Sequence, residues 1–150
     1  MRSPILRVTI KGVPISKANA ASVRWSRKLK RCEMYIPDKF MEYEDLLKQA
    51  AQKYMCKTGK TPFLTGPVSI KITYFLKSKR KKDLLNLPKT TCDALNDVFY
   101  KDDCQIVEAT CSKRYDSKNP RVVIEVKRPA GWQLKVKDEY WSLPPSYIRK

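Results

Sequence analysis

The 150-residue sequence contains no histidine. That absence removes Ser-His-Asp and Cys-His nucleophile systems, histidine general acids, H-E-x-x-H zinc sites and Cys/His zinc fingers together. Hydrolytic chemistry in such a chain has to rest on carboxylates, lysines and metal. None of the five cysteines (Cys32, Cys56, Cys92, Cys104 and Cys111) forms a C-x-x-C pair. The odd count fits free thiols in a reducing compartment, and all five are expected to be ordinary buried residues. Glycine is scarce, at four residues. The stretch Thr58-Gly59-Lys60-Thr61 looks like the end of a phosphate-binding loop, but Tyr54 stands where the first glycine of that loop is required. No apolar run approaches the roughly 18 residues of a membrane span, and Met1–Gly12 alternates like a strand instead of forming a signal-peptide block. A cytoplasmic protein with no membrane partner is the expectation.

Acid is missing as well, and unevenly. Met1–Cys32 holds nine Lys or Arg and no Asp or Glu, while Lys77-Ser78-Lys79-Arg80-Lys81-Lys82 packs five cations into six residues. Over the whole chain 32 Lys or Arg face 15 Asp or Glu, a formal charge of +17. A lone cluster of this kind is as readily a solvated face as a binding site. Two clusters on so basic a chain point to a polyanion, and to nucleic acid first, because neutralising phosphates releases condensed counterions. With 42% apolar and 31% charged residues, the composition is that of a folded domain, which at this size buries about 70% of its unfolded surface.

Leu6, Val8 and Ile10 alternate with polar residues and predict a strand ended by Gly12 and Pro14. The stretch from about Ser16 to Arg31 has no periodicity and reads as a mobile basic loop. Asp38 predicts an N-cap for a helix to about Tyr54, with Phe40, Tyr43, Leu46, Leu47, Ala50 and Tyr54 as its inner stripe. Val68–Phe75 reads as a strand by alternation and β-branched content. Asn86 as N-cap and Pro88 in the first turn predict a second helix to about Asn96, its stripe being Leu87, Thr91, Ala94, Leu95 and Val98. Ile106–Lys113 and Val122–Lys127 read as two strands of a hairpin, joined by the turn-rich segment Tyr115–Pro120. The expected fold is α+β, a single domain in the order βαβαββ, with a mixed sheet packed by two helices. It spans 1–128, and a C-terminal aromatic and basic extension with Trp132, Tyr140 and Trp141 occupies 129–150.

The chemistry-bearing residues gather around the second helix. If the flanking loops fold over, Asp83 and Asp103 could share a hard divalent cation, which prefers oxygen ligands and keeps several waters. Such an ion can activate water and stabilise a phosphodiester under in-line attack. Lys89 could then hold the scissile phosphate or stabilise the leaving oxygen. Each residue also has an ordinary reading. Asp102-Asp103 can be a turn, Asp83 can offset the cations before it, and Lys89 with Asp93 can be a surface i, i+4 ion pair worth about 0.3–0.5 kcal/mol.

The run Asp83-Leu84-Leu85-Asn86-Leu87-Pro88-Lys89, followed by Asp93-Ala94-Leu95-Asn96 and Asp102-Asp103-Cys104-Gln105-Ile106-Val107, resembles the RusA family of Holliday-junction resolvases, whose pattern is approximately D-x-D-N-x-x-K, D-A-L-N, D-D-x-Q-I. The likeness extends to Gly12-Val13-Pro14-Ile15-Ser16-Lys17 and Tyr35-Ile36-Pro37, and covers about residues 5 to 127. The resemblance implies a homodimeric endonuclease, dependent on Mg²⁺ or Mn²⁺ and common in phages and prophages, that nicks opposing strands of four-way DNA junctions. On that basis Asp83, Lys89 and Asp103 are the expected catalytic residues. Asp83 and Asp103, joined by Asp102 if its loop turns inward, are the expected metal ligands. The expected DNA-contacting residues are Lys17, Lys77, Lys79, Arg80, Lys81, Lys82 and Lys113. The sequence departs from the pattern at Leu85, where the family has its second metal-binding aspartate, and Asp97 stands where a glycine is common. In an extended segment residues 83 and 85 face the same side, so leucine there removes a ligand from the ion. Two alternatives to a working nuclease follow: an impaired relative that binds junctions or inhibits another nucleoprotein, and an RNA- or ribosome-associated basic protein. The alternative for Leu85 is a place in a rearranged core, where an aspartate would be costly.

Overall fold

The computed structural model describes residues 6–16, 21–58, 64, 66–79 and 83–129. Within them the chain runs β1 (Leu6–Lys11), β2 (Ser22–Ser26), β3 (Arg31–Tyr35), α1 (Asp38–Thr58), β4 (Val68–Leu76), α2 (Leu87–Leu95), β5 (Ile106–Tyr115) and β6 (Arg121–Lys127). One-turn 3-10 helices precede α2 (Leu84–Asn86) and β5 (Asp103–Gln105). The architecture is α+β, a single domain in which a mixed sheet packs against two helices. The sheet order is β1-β6-β4-β5, with β4 parallel to β5 and antiparallel to β6, and β6 antiparallel to β1.

Period-two alternation aims one side of every central strand at the helices. Leu6, Val8 and Ile10 of β1, Ile70, Ile72 and Tyr74 of β4, and Val122, Ile124 and Val126 of β6 are all buried. Against them α1 places Tyr43, Leu47, Ala51 and Met55, and α2 places Leu87, Ala94 and Leu95. Tyr74 and Thr91 hydroxyls meet at 2.8 Å and tie α2 to the middle of β4. Gly12, at φ +134, lies where only glycine is at ease, and its N–H donates to Pro120 O at 3.0 Å, closing the end of the β1–β6 pair.

Four expectations need correction. The stretch read as a mobile loop from Ser16 to Arg31 contains β2 and most of a second two-stranded sheet, β2–β3, paired Ser22 to Tyr35 through Ser26 to Arg31. The order of the main sheet and helices is βαβαββ as expected, with this hairpin inserted after β1. β5 and β6 are not a hairpin, because β4 lies between them and pairs with both. The segment joining them steps across the end of β4, where Asp116 N donates to Leu76 O at 2.9 Å. Asp116 also gathers the turn through Lys118 N, Asn119 N and the Arg121 guanidinium. Leu46 is 45% exposed, because α1 runs on to Thr58 and its buried line follows residues 43, 47, 51 and 55. Lastly, Cys32, Cys56 and Cys104 are exposed, with Cys92 and Cys111 part-buried.

Among the described residues no helix is long and apolar enough to cross a membrane. The aromatic extension lies outside the described residues, apart from Pro129. Ile72 sits at the centre of β4, fully buried, beside solvent-facing Lys71. Ile72→Ala should therefore lower the unfolding free energy in urea titrations by about 2–5 kcal/mol. Lys71→Ala should stay within about 0.5 kcal/mol of the parent.

Candidate active site and nucleic-acid interface

The candidate site is assembled by three segments. The 3-10 turn Leu84–Asn86 leads into α2, α2 itself presents Lys89 and Asp93 one turn apart, and the turn before β5 presents Asp102 and Asp103. Asp83 stands at the head of the first segment, in extended conformation, and its carboxylate accepts from Leu85 N at 3.0 Å. Pro88 lies in the first turn of α2, where a missing N–H costs nothing. Asn86 occupies the N-cap position but makes no side-chain cap bond. Its carbonyl is used instead by the Ser16 hydroxyl, which donates to it. The loop after β1 is thereby docked on the entry to α2.

Lys89 is the junction of the site. Its ammonium donates to Asp93 Oδ1 at 2.8 Å and to Asp103 Oδ2 at 2.9 Å. The two carboxylates hold the amine well above the usual lysine range, Asp93 contributing most and Asp103 next. Lys89 is consequently a fixed cation, suited to stabilising charge and unsuited to accepting a proton. Beside it the Asp102 and Asp103 carboxyls are in contact. The contact with Asp103 raises Asp102, with desolvation adding to it. The same contact lowers Asp103, and Lys89 lowers it further against a desolvation cost.

The acidic turn is held in place by Gln105, which is 6% exposed. Its Oε1 accepts from Lys101 N at 2.8 Å and Asp102 N at 3.2 Å, and its Nε2 donates to Leu64 O at 2.8 Å and Gly66 O at 2.9 Å. Asp102 forms a capping box with Gln105, its side chain accepting from Gln105 N while the Gln105 side chain accepts from Asp102 N, and it also accepts from Cys104 N at 3.3 Å. On the other side, Tyr100 OH donates to Cys92 O at 2.9 Å and anchors α2 to the same loop.

The structure thus brings Lys89, Asp93, Asp102 and Asp103 together. Asp83 makes no hydrogen bond or ion pair with them, its carboxylate being engaged by its own turn. Leu85 is 82% exposed, so the rearranged-core reading of this residue is corrected. So is the extended geometry assumed for 83–85: Leu85 lies inside a 3-10 turn, where residues two apart do not share a side. Asp97 takes φ +62, the left-handed conformation that explains a glycine at this position, and pairs with Lys101 at 2.6 Å.

Residues 11–127 match the family described as Endodeoxyribonuclease RusA. The chain belongs to the RusA family. A relative in Bacillus subtilis (strain 168), named Uncharacterized protein YqaN, is 27% identical over an alignment covering 81% of this chain and 95% of the relative. RusA-family nucleases act on branched DNA junctions and are typically dependent on divalent metal. Hard carboxylate oxygens suit Mg²⁺ or Mn²⁺, and two carboxyls pressed together beside a neutralising lysine are the donor chemistry such an ion takes. Among the described residues no three Asp, Glu, Cys or His side chains converge into a ligand cluster, so most ligands of an ion here would be water or substrate oxygens.

Of the expected DNA-contacting residues, Lys77 and Lys79 are exposed at the end of β4, and the Lys79 ammonium lies 5.2 Å from the Tyr115 ring centroid. Lys113 is exposed on β5, on the same side as Cys111 and Tyr115 by strand alternation. Lys17, Arg80, Lys81 and Lys82 lie outside the described residues. Two residues that build the cluster, Asp93 and Gln105, stand in the family-like motifs but receive no site role from the sequence. Asp93 was read as a surface partner of Lys89 and is also part of the Asp103 cluster. Gln105 carried a signal, a lone amide immediately ahead of an apolar strand, but nothing local reveals its partners 39 and 41 residues away.

Gln105→Ala strips partners from two part-buried carbonyls and two N–H groups. It should lower stability in urea unfolding by about 2 kcal/mol or more. Gln105→Glu should not rescue it, since a carboxylate cannot donate to Leu64 O and Gly66 O.

Proposed function

We propose that the chain is a structure-selective, divalent-metal-dependent endonuclease that binds four-way DNA junctions and nicks phosphodiester bonds as a homodimer. Residues 1–128 form the nuclease domain, and 129–150 form an appended extension. The observation that carries the reading is Lys89, locked between Asp93 and Asp103 within the run that matches the family. A cation fixed in this way serves a phosphate gaining charge, because its position costs no reorganisation when the charge develops. Asp103 and Asp93 aim the ammonium and keep it protonated. Asp103 and Asp102, joined by Asp83 once its carboxylate leaves Leu85 N, are the residues that would hold Mg²⁺ or Mn²⁺, which when bound would supply an acidified water and neutralise phosphate charge. Lys17, Lys77, Lys79, Arg80, Lys81, Lys82 and Lys113 supply phosphate contacts that position the junction without reading its sequence.

A homodimer fits the approximate two-fold symmetry of a four-way junction. β5 supports it, since its outer edge has no strand partner among the described residues and most of its side chains are exposed. Long exposed edges readily pair with another chain. Sedimentation at tens of micromolar should give twice the chain mass, and monomer alone, with and without junction, counts against the dimer.

A second reading is favoured by one observation. Leu85, 82% exposed, is a hydrocarbon at the motif position where the family pattern has an oxygen donor. The protein would then bind junctions well and cleave them slowly, with Mn²⁺ more effective than Mg²⁺. Because the side chain is exposed, Leu85→Asp should leave stability within about 0.5 kcal/mol. Its expected effect is faster single-turnover cleavage with little change in junction affinity. Rapid Mg²⁺-dependent cleavage by the Leu85 protein, lost in Asp83→Asn, would instead establish that the remaining oxygens suffice.

A further inference from the structure

The β2–β3 hairpin stands apart from the main sheet and has two unlike faces. In the antiparallel register Val23 pairs with Met34 and Trp25 with Cys32. These four side chains therefore share one face, since residues two apart on a strand and their cross-strand partners point the same way. All four are exposed, Trp25 at 62%, Val23 at 66% and Met34 at 76%. On the opposite face Arg24 pairs with Glu33 and lies over the Tyr35 ring at 4.8 Å to its centroid. The tip, residues 27–30, carries Arg27, Lys28 and Lys30, followed by Arg31, and none of these enters an ion pair among the described residues.

A two-stranded hairpin with a bare apolar face is marginal by itself in water, so that face calls for an occupant. Charge decides which. The segment 22–35 holds five cations and one acid, a composition that repels a second copy of this basic chain and attracts a polyanion. Nucleic acid has the matching pair of surfaces: phosphates for the tip, and base faces for an aromatic and apolar stripe. A continuous duplex hides its base faces in the stack, whereas a branch point exposes them. Position agrees as well. Ser16 is bonded to Asn86 at the head of α2, and six residue steps reach Ser22, a span of at most about 20 Å. The base of the hairpin is thus tethered close to the candidate catalytic turn.

We propose that the β2–β3 hairpin is a branch-point reader, in which Trp25 stacks on a base face exposed at the junction while the cations of the tip hold the adjoining phosphates. The proposal rests on the junction-nuclease reading and deepens it by separating recognition of the branch from the cluster around Lys89.

The test compares the full chain with Trp25→Leu, Trp25→Phe and the double variant Lys28→Ser with Lys30→Ser. Binding is followed by fluorescence anisotropy on a labelled four-way junction and on a linear duplex of the same arm sequence. Trp25→Leu keeps apolar bulk but has no π-face. It should weaken junction binding about tenfold, leave duplex binding within twofold, and be rescued by Trp25→Phe. The double lysine variant should flatten the dependence of log K on log salt by up to about 2 on both DNAs. A 2-aminopurine placed at the branch should be quenched by the parent and by Trp25→Phe but not by Trp25→Leu. Equal junction affinity for Trp25→Leu and parent overturns the proposal. So does a shift from dimer to monomer in sedimentation of Trp25→Leu, which would make the hairpin an interface between copies. If the parent binds the junction and only the Trp25 effect is absent, the hairpin's role falls while the nuclease reading stands. A parent that binds neither DNA removes both.

Discussion

The site depends on one buried amide. Gln105 has two N–H donors and an oxygen with two lone pairs, and all four are used by backbone groups from two segments that are distant in sequence. Buried backbone donors and acceptors left unpaired are costly, so this side chain solves a problem that no apolar residue of its size could. It holds Leu64 and Gly66 against the turn at 101–103, immediately before β5 enters the sheet beside β4. Leu64 N, donating to Phe99 O at 2.8 Å, closes the same junction from the backbone. Without that clamp the two carboxyls at 102 and 103 would hang on a free loop. With it, Asp103 is delivered to a fixed place over α2.

Fixing Asp103 in turn gives Lys89 its place. An exposed lysine ordinarily samples many rotamers, and a single surface ion pair is too weak to hold it. Here Asp93 approaches from one helical turn away and Asp103 from a different element, so the ammonium is constrained from two directions at 2.8 and 2.9 Å. The link is structural as well as electrostatic, because it spans α2 and the turn before β5. α2 is itself secured to the sheet by the Tyr74–Thr91 hydroxyl contact and to the loop by Tyr100. Positions named for chemistry thus rest on polar contacts made in the core.

What could be read from the sequence follows the range of the forces involved. β1, β4 and α2 were legible, because alternation and helical spacing are local signals and the buried residues obey them. The pairing of β5 was not. Tyr115–Pro120 has the composition of a hairpin turn, and only the insertion of β4, thirty or more residues earlier in the chain, sends β5 and β6 to its two sides. The β2–β3 hairpin escaped for another reason. Its alternation places apolar residues outward, beside cations, and its tip has no glycine, proline, asparagine or aspartate, the turn being made with Lys30 at φ +51. At the site, the run from Asp83 to Lys89 was legible as a motif, yet its local shape was not. Asp83 caps a 3-10 turn, which changes what Leu85 can face.

The distribution of charge bears on why such a site would lie in so basic a chain. Asp93 and Asp103 hold one lysine, and Asp102 lies against Asp103, on a protein of formal charge +17. A polyanion drawn by the surrounding cations meets a local negative patch at the point where chemistry would occur, and Lys89 neutralises only part of it. Phosphate can approach closely once further positive charge is present, which is a reason for coupling DNA engagement to a divalent cation. Leu85 alters that balance in a definite direction. Relative to an aspartate it removes one negative charge and one carboxylate from the run that enters α2. Under the proposed reading the first change would ease association with DNA and the second would weaken retention of the ion, which would separate binding from cleavage.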